Sequence, residues 1–328
     1  MSKPLKLALA GATGLLGAAL RERLAESQTQ PAELHLLASA DSAGTRLEYA
    51  GRYLTVTDLA EFDFRAADAV IFATPASVTL AQAPRALAAG CKVLDFSGAH
   101  LADMDVPLLC PGVIPGSRAE LTAFPGAIAM QLAALLAMPV ADELLASVDI
   151  TALLPASLAG RAGVDELASQ TAALLNARDP QTEVFGERLA FQTLLAGSQA
   201  YGSSHQALAQ GAVLALKRLF GLSLPVSCQA SFVPVFHGMT LALTLTCHEE
   251  VDEGRVENWL EEAGITLLSP ETNGNLLPEA GAGIHAVMPR DVTRAPHQLR
   301  LWLAADNVQL AAFMGVQIIE VLIKDHLY

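Results

Sequence analysis

Two stretches of this chain have the residue types and spacing to do chemistry. The first is GATGLLG (11–17), lying between an apolar run and a helical pattern. Glycines at such a junction allow a tight turn and let the backbone approach a pyrophosphate, which then rests on the helix N-terminus. The spacing is G-x-x-G-x-x-G, looser than the G-x-G-x-x-G of the dinucleotide fingerprint, and a close strand–helix packing turn gives the same pattern. Gly11, Thr13, Gly14, Leu15, Leu16 and Gly17 are therefore the candidate phosphate cradle. The second stretch is AFPGAIAMQL (123–132), a Pro–Gly turn into an apolar helix. A helix start stabilises an anion or an activated thiolate through its free N–H groups and dipole. Yet no polar side chain lies between Ala123 and Met130. Taken alone, that stretch reads as a turn into a core helix.

Other reactive types are sparse. Cys91, Cys110, Cys228 and Cys247 form no CxxC pattern, and free thiols in a reducing cytoplasm are the expectation. Cys110 and Cys91 read as buried, inert thiols. His237, in an extended strand, would face the same side as position 239 unless Gly238 marks a bulge. His100 follows Asp95-Phe96-Ser97-Gly98 and is an anion-binding candidate, against an ordinary hydrogen-bonded histidine. At the end of the second apolar run, LLASADSAG (36–44) offers Ser39, Asp41 and Ser42 to a ribose. An acid there suits NAD, whereas the extra phosphate of NADP needs a cation, for which Arg46 is the nearest source. Thr74 ends the third apolar run.

The elements that must position these groups alternate. LKLALA (5–10), ELHLLA (33–38), DAVIFAT (68–74) and KVLDF (92–96) read as buried strands, with helices over 15–25 and 78–89. Beyond the helix near Ile128, strands are expected at 147–154, across 231–247 and at 298–306. Helices are expected at 163–177, 206–220, 253–263 and 308–323. This is an α/β chain: a Rossmann-type doubly wound parallel sheet with a second α+β domain. The expected boundaries are 1–127 plus 308–328, and 128–307.

The 328 residues are 52% hydrophobic and 16% charged, with a formal net charge of −14. Such a chain buries a large core, and its field repels phosphate backbones and anionic membranes. Neither nucleic acid nor membrane is an expected partner. The N-terminal MSKPLKLALAGATGLLGAAL mimics a signal peptide, but the spaced glycines and the charges at Arg21, Glu22 and Arg23 argue for strand, loop and helix. No later apolar run approaches the roughly 18 residues of a membrane helix; 128–140 comes nearest.

The ordered set GATGLLG, LLASADSAG, GCKVLDFSGAH, AFPGAIAMQ, LLPASLAGRAG, LAFQ (189–192), VPVFHGMT (233–240) and AADN…VQIIE (304–320) resembles the aspartate-semialdehyde dehydrogenases nearly end to end. The resemblance implies a homodimer, a substrate and dimerisation domain, and NADPH-dependent reduction of aspartyl phosphate. That reaction uses a cysteine thiolate, a thioester, hydride transfer, an acid/base histidine and arginines that hold the substrate's oxyanions. Carried over by position, the nucleophile falls on Ala127 and the asparagine before the proline on Phe124. The glutamine beside the thioester falls on Leu154, the substrate arginine on Phe232 and the histidine on Met239. The phosphate arginine falls on Leu101, the double glycine on Pro75-Ala76 and the cofactor-phosphate arginine on Asp41. The resemblance also implies cofactor contacts at Ser157, Gly160 and Gln317.

The reactive set has become apolar in concert. In a protease template, loss of the nucleophile costs on the order of 10⁶ in kcat. The expectation is a dehydrogenase-like protein without catalytic residues for the family reaction, binding NAD or NADP and no metal, with an unidentified small-molecule ligand. The rival is an NAD(P)-dependent oxidoreductase acting on an oxo group without a thioester, with His237 as its acid/base.

Overall fold

The computed structural model describes residues 4–114, 116–194, 205–221, 225–269, 281, 283–289, 295 and 297–327. The chain divides into two compact units, 1–126 with 311–328, and 127–310.

In the first unit, the apolar runs become the strands β1 (Lys6–Ala10), β2 (Glu33–Ala38), β5 (Ala69–Phe72) and β6 (Lys92–Asp95). The stretch that mimics a signal peptide is thus β1, the glycine loop and helix α1 (Leu15–Glu26); residues 1–3 lie outside the described residues. Three strands went unread in the sequence: β3 (Arg46–Tyr49), β4 (Arg52–Asp58) and β7 (Leu121–Ala123). The sheet order is β3-β4-β2-β1-β5-β6-β7, parallel except for the β3–β4 hairpin. The expected parallel sheet therefore carries an antiparallel edge. Its charged, half-exposed side chains show no apolar run to read.

Chain order reverses between β1 and β5, which makes their carboxyl ends the switch point where such sheets bind ligands. Helix α1 buries Gly17, Leu20 and Leu24, and α2 (Ala76–Ala88) buries Thr79, Ala83 and Ala86. These i, i+3/i+4 stripes dock each helix on the sheet. Phe62, Phe64 and Phe72 pack ring against ring beneath β5.

The second unit begins with α3 (Ala127–Ala141), which is buried on most of its faces. Strand β8 (Leu145–Leu154) is followed by α4 (Gly160–Leu175) and α5 (His205–Phe220). The long strand expected across 231–247 is two strands, β9 (Val226–Phe232) and β10 (Met239–Cys247). Then come α6 (Glu253–Glu262), β11 (Thr266–Leu267), β12 (His285–Val287) and β13 (Gln298–Ala305). The sheet order is β11-β12-β13-β10-β8-β9, mixed in direction. Helices α3 and α5 cover one face. On the other, Val287, Trp302, Ala242, Thr151 and Gln229 form a cross-strand row of half-buried and exposed residues.

Helix α7 (Asn307–Leu327) closes the chain. It, rather than 128–140, is the helix long and apolar enough to cross a membrane, through its segment Asn307–Lys324. Most of that segment is buried in the protein. A Cβ at Gly315 would lie 2.7 Å from Leu20 of α1 and 2.9 Å from Phe96, so glycine permits this docking.

Candidate functional site

The glycine loop makes a tight turn from β1 into α1. Gly11 has φ +86°, and a Cβ there would sit 2.2 Å from the Ala73 carbonyl oxygen. A Cβ on Gly17 would lie 2.1 Å from the Gly11 carbonyl oxygen, so α1 reaches the loop only because position 17 has no side chain. The Gly11 and Ala12 N–H groups both donate to the Leu37 carbonyl, at 2.9 and 3.0 Å, pinning the loop to β2. Gly14 caps α1 without a side-chain hydrogen bond, and the first turn holds no acid. The N–H groups of Leu15, Leu16 and Gly17 at this helix start have no intrahelical acceptor.

Thr74 stands beside the loop: its Cγ2 lies 3.3 Å from where a Gly11 Cβ would be, and its Oγ1 is 2.9 Å from Thr79 Oγ1. Ser39 caps and Ser42 ends a single helical turn that follows the adjacent strand β2, with Asp41 exposed between them. Arg46 lies on β3, where its guanidinium stacks 5.4 Å from the Tyr53 ring. Gln317 is exposed on α7. Ser157 and Gly160 belong to the second unit. Ser157 donates from Oγ to Asn307 Oδ1 at 3.0 Å, and Gly160, at φ +72°, opens α4.

The positions that the resemblance gives to the reactive set lie largely in packed hydrocarbon. Phe124 is buried and stacks on Phe96 with ring centroids 3.4 Å apart. Leu154, Phe232 and Met239 are buried. Phe232 meets the Phe185 ring edge-on at 5.4 Å. Phe185 is held there by a buried polar latch that the sequence reading missed. Glu166 of α4 accepts the N–H groups of Val184 and Phe185, and Gln170 Oε1 accepts those of Leu189 and Ala190. One polar side chain is buried in α3. Gln131 is fully buried, with Nε2 3.5 Å from the Met239 carbonyl and no partner for Oε1 among the described residues.

Ala127 begins α3 after Gly126 at φ +81°. No other thiol replaces one there. Burial pushes Cys110 up to about 12 and Cys228 up to about 11. Cys91 is also raised to about 11, by burial and then by the Asp68 charge; its Sγ donates to the Phe64 and Ala67 carbonyls. His237 is not in an extended strand. Residues 233–238 bend, Gly238 takes φ +88°, and His237 is exposed while Met239 is buried. The acid/base role foreseen for His237 through a shared strand face therefore loses its geometry.

A different histidine is organised. Asp95 ends β6 and is fully buried. Its Oδ1 accepts the Ser97 N–H at 2.7 Å and the Ser97 hydroxyl at 2.5 Å. Its Oδ2 accepts the His100 N–H at 2.9 Å and lies 2.9 Å from His100 Nδ1. His100, which the sequence offers as an anion-binding candidate, instead pairs through Nδ1 with a carboxylate of its own turn. Among the described residues, no group of three or more His, Cys, Asp or Glu side chains is arranged to hold a metal ion.

Comparison with known proteins fits this architecture. Residues 6–120 match the NAD binding domain of semialdehyde dehydrogenase, and 138–310 match its dimerisation domain. The chain belongs to the semialdehyde dehydrogenase family. It is 36% identical to a USG-1 protein homolog of Pseudomonas aeruginosa over 100% of both chains. It is 31% identical to aspartate-semialdehyde dehydrogenase 2 of Vibrio cholerae, over 99% of this chain and 100% of that one. The crystal structure of aspartate semialdehyde dehydrogenase II from Vibrio cholerae, complexed with ASA, superposes with a TM-score of 0.88 at 31% identity over 99% of each chain.

Proposed function

We propose that this family member is a dinucleotide-binding homodimer that does not carry out the family's thioester reaction. One observation carries the reading: the positions of the reactive set hold Ala127, Leu154, Phe232 and Met239, and the last three are buried. No thiolate forms at Ala127, and three of the four native thiols are pushed well above neutrality by burial. Packed aromatic rings at Phe232 and Phe185 offer no partner to a substrate carboxylate or phosphate.

The cofactor cradle fits its ligand better. Gly11 and Gly17 permit the tight turn that brings α1 against the end of β1, and the uncapped start of α1 suits a pyrophosphate. The backbone of Thr13, Gly14, Leu15 and Leu16 would line that group, with Thr74 alongside. Ser39 and Ser42 would meet the ribose at the end of β2. In the same unit, Gln317 is a further contact that the resemblance implies. Asp41 opposes a further phosphate, so NAD is favoured over NADP. The open face of the second sheet, centred on Ala242, is the surface for a second copy of the chain, in keeping with the match to a dimerisation domain. Four free cysteines suit a cytoplasmic protein.

Calorimetric titration with NAD and NADP tests this reading. Binding of NAD in preference to NADP is expected, and no binding of either at millimolar concentration refutes cofactor retention. A second reading, a non-covalent oxidoreductase acting on an oxo group, is favoured by the Asp95–His100 pair.

A further inference from the structure

The Asp95–His100 pair is built more fully than a turn requires. Three donors other than the ring already close the loop on the buried carboxylate: the Ser97 N–H, the Ser97 hydroxyl and the His100 N–H. The imidazole is a fourth partner. With Nδ1 turned to the Asp95 carboxylate, Nε2 is the ring nitrogen left to meet a ligand. The side chain is 15% exposed. Nε2 has no partner among the described residues and is not among the enclosed polar atoms. The other acid touching this turn is Asp103, an exposed residue whose N–H donates to the His100 carbonyl.

The pair sits at the carboxyl end of β6, two strands from β1 and its glycine loop. A dinucleotide laid across the β1/β5 switch point has one nucleoside on the β2 side, where Ser39 and Ser42 lie. The other nucleoside falls on the side of β5 and β6. The surroundings are apolar: Phe96 and Phe124 stack here, and the Phe124 N–H donates to the Asp95 carbonyl at 2.9 Å. Residues 93–117 contain no Lys or Arg to meet an acidic substrate.

We propose that His100 is a proton-transfer residue for non-covalent reduction of an apolar aldehyde or ketone, with Asp95 as its positioning residue. This rests on the second reading above and on cofactor retention. A reduced nicotinamide, when bound, supplies the hydride and is itself oxidised. The imidazolium of His100 gives the proton from Nε2 to the carbonyl oxygen, a C–H and an O–H bond replace the C=O π bond, and solvent reprotonates the neutral ring.

The test uses the full chain and the H100Q and D95N variants. The His100 ring resonances are followed by NMR, assigned by H100Q, with saturating NAD and then NADH. They are expected to differ between the two cofactors, because the charged ring of NAD lies beside the imidazole. In the free protein, D95N is expected to shift them too, because the hydrogen bond to Nδ1 changes. With NADH and hexanal as the oxo probe, H100Q is expected to bind NADH as the wild type does and to lose about 10²-fold in turnover. Equal turnover by wild type and H100Q, including none by either, overturns the proposal, as do identical His100 ring resonances with the two cofactors. If calorimetry shows no dinucleotide binding, cofactor retention fails together with it. Binding without an effect at His100 sinks the His100 assignment alone.

Discussion

Placing a thiol at the start of α3, through Ala127→Cys, tests the electrostatics of that helix start by themselves. Among the native thiols, Cys228 is the half-exposed competitor, and burial raises it to about 11. At pH 7 it is ionised to about one part in 10⁴. A thiol at a helix N-terminus with a pKa of about 7.5 would be about one quarter ionised, roughly 2 × 10³ times more. Nucleophilicity falls with pKa at a Brønsted slope of about 0.4–0.5, which removes roughly 1.5 orders of magnitude of that advantage. A127C should therefore alkylate about 10²-fold faster than any native cysteine. The assay is iodoacetamide labelling read by peptide mass spectrometry. Wild-type labelling at Cys228 should climb about tenfold per pH unit between pH 7 and 10, because the raised pKa keeps the thiol protonated until near 11. Position 127 should show much less dependence above pH 8. Equal labelling of position 127 and Cys228 at pH 7 would refute the view that this helix start still suits a thiolate.

Three other substitutions probe the packing. Gly17→Ala forces a Cβ to within 2.1 Å of backbone oxygen and should cost about 1–3 kcal/mol, seen as a lower Tm, together with weaker NAD binding. Phe232→Ala should cost about 3–5 kcal/mol in denaturant titration, because the ring is core packed on Phe185; a near-neutral result would indicate an open site there. Ala242→Arg, in the middle of the open sheet face, should shift the protein from dimer to monomer in sedimentation while leaving its circular dichroism unchanged.

Much of the fold was legible in the sequence because buried parallel strands read as apolar runs. ELHLLA coincides with β2 residue for residue, and the glycine loop falls between β1 and α1 as its pattern demands. The β3–β4 hairpin was hidden because one side of it faces solvent, with Arg46, Glu48 and Arg52 breaking up any run. Gly238 was visible, but its φ of +88° is what detaches His237 from β10, and a strand pattern carries no φ. The proposed loss of reactive groups rests on the resemblance, since Leu154 or Phe232 alone is an ordinary core residue. The Asp95–His100 pair depends on a turn at Gly98 that folds position 100 back onto position 95, and apolar periodicity does not encode that return.

The central claim is that the covalent reaction has gone while the fold remains. Its most direct test is turnover of aspartate semialdehyde, with phosphate and either NADP or NAD, by the purified wild-type protein, followed by cofactor absorbance. The structure predicts no rate above the uncatalysed background with either cofactor. Turnover anywhere in the usual enzyme range, about 1–10³ s⁻¹, would contradict it.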